Sequence, residues 1–218
     1  MGDYEFDINT ATPLCEIMGR NNSDKGNIDI KNSWHNYTIV YYALFKDMRY
    51  KELRIFELGL GTNNPNLPSN MGINGTPGAS VYGWKEFFPN SQIYGADIDK
   101  DILFNTDRIK TYYCDQTNKD IIEKMWNHPD LQENFDIIIE DGLHEIDANV
   151  CFFENSIHKL KSNGYYIIED IITNVKDLYL KKIEEWKNKY PNYLFQLLEI
   201  PSIKNKYDNN LIIIYKNN

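Results

Sequence analysis

Short apolar runs alternate with longer amphipathic stretches along most of the chain. "RIFELGLG" (54–61), "QIYGADID" (92–99), "IKTYYCD" (109–115), "FDIIIED" (135–141) and "GYYIIED" (164–170) are nearly continuous apolar segments of strand length. Strands read this way when helices cover both faces of a parallel sheet. The stretches between them, "ASVYGWKEFF" (79–88), "NKDIIEKMWN" (118–127) and "DANVCFFENSIHKLK" (147–161), predict helices, as does "YTIVYYALFKD" (37–47) ahead of the first strand. Residues 1–34 are polar and irregular, with turn formers concentrated in "RNNSDKGNID". Regular alternation of strand and helix implies right-handed crossovers and an α/β, doubly wound sheet. The rhythm then changes: a helix near 174–190 leads into "YLFQLLEI" and "NLIIIYK", two strands joined by a polar loop.

The apolar runs end in acids. Asp97 and Asp99 follow the second strand, Asp115 the third, Glu140 and Asp141 the fourth, Glu169 and Asp170 the fifth. An Asp after a strand is often no more than a turn or cap residue. Ligands of open α/β sheets bind outside the carboxyl ends of the strands, however, so these acids converge on one cleft. Glu57 lies inside the first strand, just before Gly59 and Gly61, which permit close backbone approach to a ligand. The third glycine of the dinucleotide fingerprint is missing, and an acid there would repel a pyrophosphate. Glu57 suits a ligand carrying an amino group and a sulfonium, and Asp97 is placed to accept from both hydroxyls of a ribose. The pattern favours S-adenosylmethionine over a nicotinamide cofactor.

Composition narrows the classes further. The chain has 218 residues, 42% of them hydrophobic, enough for the core of one domain. The expected organisation is a single domain: an N-terminal cap or helical segment (1–50), a donor- and metal-binding core (51–172), and a C-terminal helix and hairpin (173–218). Mean hydropathy is -0.56, and no stretch approaches the roughly 20 apolar residues of a membrane span. The N-terminus lacks the basic head and apolar middle of a signal peptide, so a cytoplasmic location is expected. A net charge of -9 disfavours a nucleic-acid partner. Cys15, Cys114 and Cys151 form no CxxC pair, which argues against a disulfide framework and against a cysteine zinc site.

Five βαβ strands followed by a hairpin fit the Rossmann-like class I methyltransferase fold, with seven strands, mostly parallel, and one antiparallel edge strand from the C-terminal hairpin. "RIFELGLG", "GASVYGWKEFFPNSQIYGADID", "YYCDQ", "FDIIIEDGLH" and "GYYIIEDI" together resemble the metal-dependent sugar O-methyltransferases that act on macrolide sugars, with relatives of surface-polysaccharide type. The resemblance spans about residues 20–172 and includes "SDKG" and "HNY" before the sheet. It implies that Asp141, Glu169 and Asp170 hold a divalent ion and that His144 is the general base. It further implies that Glu57, Gly59, Gly61, Ser80, Asp97, Asp115 and Gln116 lie along the methyl donor. Lys25, His35 and Tyr37 would then belong to a segment folded over donor or substrate. The family's "DDGSH" is replaced here by Glu140 and Leu143, and the chain is shorter than the macrolide enzymes. The resemblance also implies a homo-oligomer.

The residues support that chemistry on their own terms. Clustered carboxylates raise one another's pKa unless a cation neutralises them, and hard oxygen ligands suit Mg²⁺. A sugar hydroxyl coordinated to such an ion loses its proton more readily, and a histidine three residues from Asp141 can take it. The expected activity is methylation of a hydroxyl on a sugar, a nucleotide-linked sugar or a related small-molecule acceptor. Alternatives are a catechol-type O-methyltransferase, transfer to a phosphorylated group, and a non-catalytic donor-binding protein. The long Gly/Pro/Asn loop at 63–79 reads as a lid over the substrate.

Overall fold

The computed structural model describes residues 7–218; the start of the N-terminal segment, expected above to carry no leader, lies outside them. In chain order the elements are α1 (Pro13–Arg20), α2 (Tyr37–Phe45), β1 (Arg54–Leu58), α3 (Ala79–Phe87), β2 (Gln92–Asp97), β3 (Asn105–Thr106), β4 (Ile109–Tyr113), α4 (Lys119–Trp126), β5 (Phe135–Glu140), α5 (Ile146–Ser156), β6 (Leu160–Ile168), α6 (Lys176–Lys189), β7 (Tyr193–Glu199) and β8 (Asn210–Lys216). The strands form one sheet in the order β3-β4-β2-β1-β5-β6-β8-β7. β4, β2, β1, β5 and β6 are parallel neighbours.

Each central strand is apolar on both sides because helices cover both. Ile55, Ile137, Ile139, Ile167 and Ile213 join one core with α1, α2 and α3. Phe56, Ile138, Tyr166, Ile168 and Ile212 join the other with α4, α5 and α6. β1 lies where the chain reverses its direction of travel across the sheet, since β2 pairs with it on one side and β5 on the other. The carboxyl ends of β1, β2, β4, β5 and β6 therefore open onto one crevice.

The structure corrects the sequence reading in four places. The sheet has eight strands, not seven. The extra one, β3, is two exposed residues, too short and polar to leave an apolar signature. The antiparallel strand is not at the edge: β8 runs antiparallel between β6 and β7. Leu211–Ile214 is buried throughout and needs a neighbour on each side, whereas β7 alternates with partly exposed residues and tolerates the edge. Residues 13–20 form a helix within the segment read as irregular; Thr12 caps it by accepting from the Cys15 N–H at 3.3 Å, and Pro13 opens its first turn. Finally, β6 begins at Leu160, inside the helix expected over 147–161, because Leu160 is buried and pairs with Phe135.

Among the described residues no helix is long and apolar enough to cross a membrane.

Candidate functional site

β1 delivers Glu57 to the crevice and then turns through Gly59 and Gly61, whose φ angles of 90° and 75° belong to the left-handed region. The need is steric as well as conformational, since a Cβ on Gly59 would fall on the Asp141 carbonyl oxygen. Asp141 and Gly59 are thus the points where two adjacent strands leave the sheet in contact. His144 and Asp170 also have positive φ, 59° and 56°. Such backbone conformations persist in non-glycine residues where the surroundings enforce them, and they cluster at functional sites.

A cavity lies over these strand ends. Gly59, Gly61, Ser80, Asp97, Asp115, Gln116, Asp141, His144 and Asp170 all line it. On the donor side, Asp97 accepts from the Leu60 N–H at 2.7 Å and from the Asp99 N–H at 2.8 Å. Its carboxylate therefore clamps the turn after β1 to the end of β2, and burial pushes its pKa up. Gln116 accepts from the Leu143 N–H at 2.7 Å, joining the loop after β4 to the loop that carries His144. Asp115 accepts from the hydroxyl and N–H of Thr117 in its own turn.

On the other side the acids form a chain of contacts. His144 Nε2 lies 3.1 Å from Asp141 Oδ1 and 3.2 Å from Asp170 Oδ2. Burial pulls the imidazole pKa down, but Asp170 and Asp141 outweigh it and raise it to about 9. Asp141, His144 and Asp170 bring ligand atoms within 4.8 Å of one another. A second such group, His35, Asp170 and Asp208, shares Asp170. Glu169 faces elsewhere: the Tyr41 hydroxyl donates to one of its oxygens and Lys25 Nζ to the other at 2.6 Å.

Lys25, His35 and Tyr37, expected to face an acceptor, do not line the cavity and are buried beneath it. Lys25 Nζ lies 2.6 Å from Asp141 Oδ2, 2.6 Å from Glu169 Oε2 and 3.3 Å from Glu57 Oε1. Burial opposes its charge, yet Asp141, Glu169 and Glu57 hold it firmly protonated. Tyr37 donates to Asp170 Oδ1 at 2.6 Å, and His35 Nε2 lies 3.5 Å from the same oxygen. Glu57, expected along the donor, is also absent from the cavity wall; Ser80 donates to it at 2.6 Å and the Trp84 indole at 2.5 Å. These placements arise because the segment before β1 packs α2 against the sheet, turning its polar side chains inward on the strand ends.

Sequence reading passed over several partners of the acids. Tyr41 lies four residues after Tyr37 on α2, so helical spacing alone placed both hydroxyls on one face. Glu140 points to the opposite side of the sheet, where Tyr166 donates to it and Asn149 donates at 2.7 Å. Burial raises Glu140 to about 8. From the 63–79 loop, Pro68, Ser69, Met71 and Thr76 line the cavity, and the Ser69 hydroxyl donates to the Leu143 carbonyl at 3.0 Å.

The donor set fits a hard divalent cation. Three carboxylates, Glu57, Asp141 and Glu169, gather around Lys25, and Asp170 meets Asp141 at His144; burial, with Asp141, Glu57 and Asp170, raises Glu169 well above the usual range. Oxygen ligands of this kind, gathered in one place, suit Mg²⁺.

No family model matches the chain. Among curated proteins it is similar to L-olivosyl-oleandolide 3-O-methyltransferase of Streptomyces antibioticus, with 32% identity over 168 residues, covering 76% of this chain and 39% of that enzyme. It is similar also to mycinamicin VI 2''-O-methyltransferase of Micromonospora griseorubida, with 33% identity over 141 residues, 64% of this chain and 32% of that one. A third relative is 8-demethyl-8-(2-methoxy-alpha-L-rhamnosyl)-tetracenomycin-C 3'-O-methyltransferase of Streptomyces olivaceus, 28% identical over 73% of this chain and 37% of its own length. The chain thus spans less than two-fifths of the length of each. Among solved structures, the MycE methyltransferase of the mycinamycin pathway, in complex with Mg and S-adenosylhomocysteine, superposes with a TM-score of 0.71 at 24% identity, over 95% of this chain and 56% of that one. This likeness establishes the class I methyltransferase fold.

Proposed function

We propose, from a chain whose curated homologues are sugar O-methyltransferases, that the protein transfers a methyl group from S-adenosylmethionine to a hydroxyl of a sugar, a nucleotide-linked sugar or a related precursor. The observation that carries the reading is the meeting of Asp141, His144 and Asp170 in a cavity that Asp97, Gly59, Gly61 and Gln116 also line. One half of that cavity suits a nucleoside with its ribose on Asp97; the other supplies oxygen ligands and a base.

Asp141 and Asp170 would hold the divalent ion on the cavity side, and Glu169, which shares Lys25 with Asp141 outside the cavity wall, would turn to it as the third ligand; the ion when bound lowers the pKa of the acceptor hydroxyl and orients its oxygen. Tyr41 and Lys25 orient Glu169, and Tyr37 and His35 orient Asp170, as ligating carboxylates require. His144 takes the acceptor proton at Nε2. The charge it carries beside Asp141 and Asp170 falls away once those carboxylates are engaged elsewhere, leaving the neutral imidazole that a base requires. Asp97 and the Gly59–Gly61 turn fix the donor, with Asp115, Gln116 and Ser80 beside it, so the methyl faces the acceptor oxygen and the transfer is accelerated mainly by positioning. The 63–79 loop serves as a lid, holding Leu143 through Ser69. Residues 1–50 act as a cap, 51–172 as the donor and cation core and 173–218 as the closing helix and hairpin. The reading includes a cytoplasmic, homo-oligomeric enzyme, with the net charge of -9 favouring a small-molecule acceptor over nucleic acid.

The test is a donor-consumption screen against nucleotide sugars and catechols, run with Mg²⁺ and after exhaustive chelation. Turnover that vanishes on chelation and returns with Mg²⁺ is expected. Full turnover in chelator would end the cation assignment, and turnover of catechols alone would replace the acceptor class.

A further inference from the structure

Lys25 is fully buried; its ammonium donates to Asp141 Oδ2 and Glu169 Oε2, each at 2.6 Å, and forms an ion pair with Glu57 Oε1 at 3.3 Å. These acids come from the ends of three different strands, β5, β6 and β1. Each has a further partner that holds its remaining oxygen: His144 for Asp141, Tyr41 for Glu169, Trp84 for Glu57. An ammonium that is buried, does not line the cavity and touches three converging carboxylates is not a surface charge.

Its backbone matters as well. Lys25 lies in the turn between α1 and α2, where the Thr38 N–H donates to its carbonyl at 3.1 Å. The three residues before it, Asn22, Ser23 and Asp24, form part of the cavity wall. The same residue that joins the strand ends therefore pins that wall in place.

We propose that Lys25 is a positioning residue acting as a resident counter-ion: it holds the acids of β1, β5 and β6 together by its own positive charge and, having the same sign, opposes the divalent cation that two of them would bind. The inference rests on the cation reading above. Two positive charges drawn to one cluster are coupled unfavourably, and the coupling is reciprocal. The chain thereby keeps its acids assembled without depending wholly on the ion and holds the ion less tightly than the acids alone would.

The experiment compares the parent with Lys25→Met, Lys25→Gln and Lys25→Arg, reading Mn²⁺ affinity by calorimetry and unfolding temperature with and without Mn²⁺. Lys25→Met should unfold roughly 6–20 °C earlier in chelator, as expected for removing one partner of a buried ion pair. It should bind Mn²⁺ about tenfold more tightly than the parent, within the usual range of coupling between sites, and so gain more from Mn²⁺ on heating. Lys25→Arg, which keeps the charge, should bind Mn²⁺ close to the parent. If Lys25→Met folds only with Mn²⁺ present, that dependence supports the proposal, and Lys25→Gln then supplies the affinity. Mn²⁺ affinity unchanged or weaker in the neutral variants would overturn it, because a merely structural lysine gives that result. If the parent itself takes up no Mn²⁺, the cation reading falls and the opposition with it; a neutral variant as stable as the parent in chelator would overturn the counter-ion role too.

Discussion

His144 offers a measurement that tests the charge balance of the site without knowledge of the acceptor. Its ring nitrogen lies 3.1 Å from Asp141 and 3.2 Å from Asp170, and its pKa is raised from 6.5 to about 9. A group whose folded pKa exceeds its unfolded one binds its proton more tightly in the folded state. It therefore adds stability that is complete below pH 6.5 and disappears as pH climbs through 9. The gap corresponds to about 3 kcal/mol, trimmed by solvent because the side chain is 25% exposed. For a chain of this size that amounts to roughly 6–12 °C in unfolding temperature. The assay is thermal unfolding of the parent and of His144→Gln in chelator from pH 5.5 to 10. The parent's advantage should be largest at the acid end and shrink steadily towards pH 9. Two curves that stay parallel across that range would refute the ion pair as the origin of the shift. The same variant should lose roughly 10²–10⁴-fold in turnover while retaining donor binding, the worth of a general base.

Two further outcomes follow from the donor side. Asp97→Ala should weaken S-adenosylhomocysteine binding by about 10–150-fold for each charge-assisted hydrogen bond lost, and it also frees the Leu60 and Asp99 amides; calorimetric affinity equal to the parent's would remove Asp97 from the site. Gly59→Ala places a methyl on the Asp141 carbonyl at a φ of 90° and should cost more than about 4 kcal/mol in denaturant unfolding. A loss below about 1 kcal/mol would show that the β1 and β5 exits can separate freely.

Much of this was legible in the chain before folding. Apolar runs such as "FDIIIED" and "GYYIIED" report burial on both faces, and regular alternation with helices dictates parallel strands whose carboxyl ends share one side of the sheet. From that topology alone Asp97, Asp115, Asp141 and Asp170 had to face a common crevice, and they line one cavity. That Gly59 and Gly61 permit a close backbone approach was likewise written locally, since it depends on the absence of a side chain; that the neighbour of Gly59 is the Asp141 carbonyl was not. What tertiary structure alone decided is the partner of each acid. Glu57 and Glu169 lie at the same end of the sheet as Asp141, on neighbouring strands, yet they turn away from the cavity to Trp84, Tyr41 and Lys25. Lys25 lies 116 and 144 residues from Asp141 and Glu169, and no local pattern encodes a pairing over that distance. The place of β8 between β6 and β7 is of the same kind. Periodicity tells which faces of a segment must leave water, because burial is a property of that segment. Which surface covers it, and which charge meets which, follows from packing the whole chain, because polar contacts depend on separations of a few ångströms that only the assembled layers set.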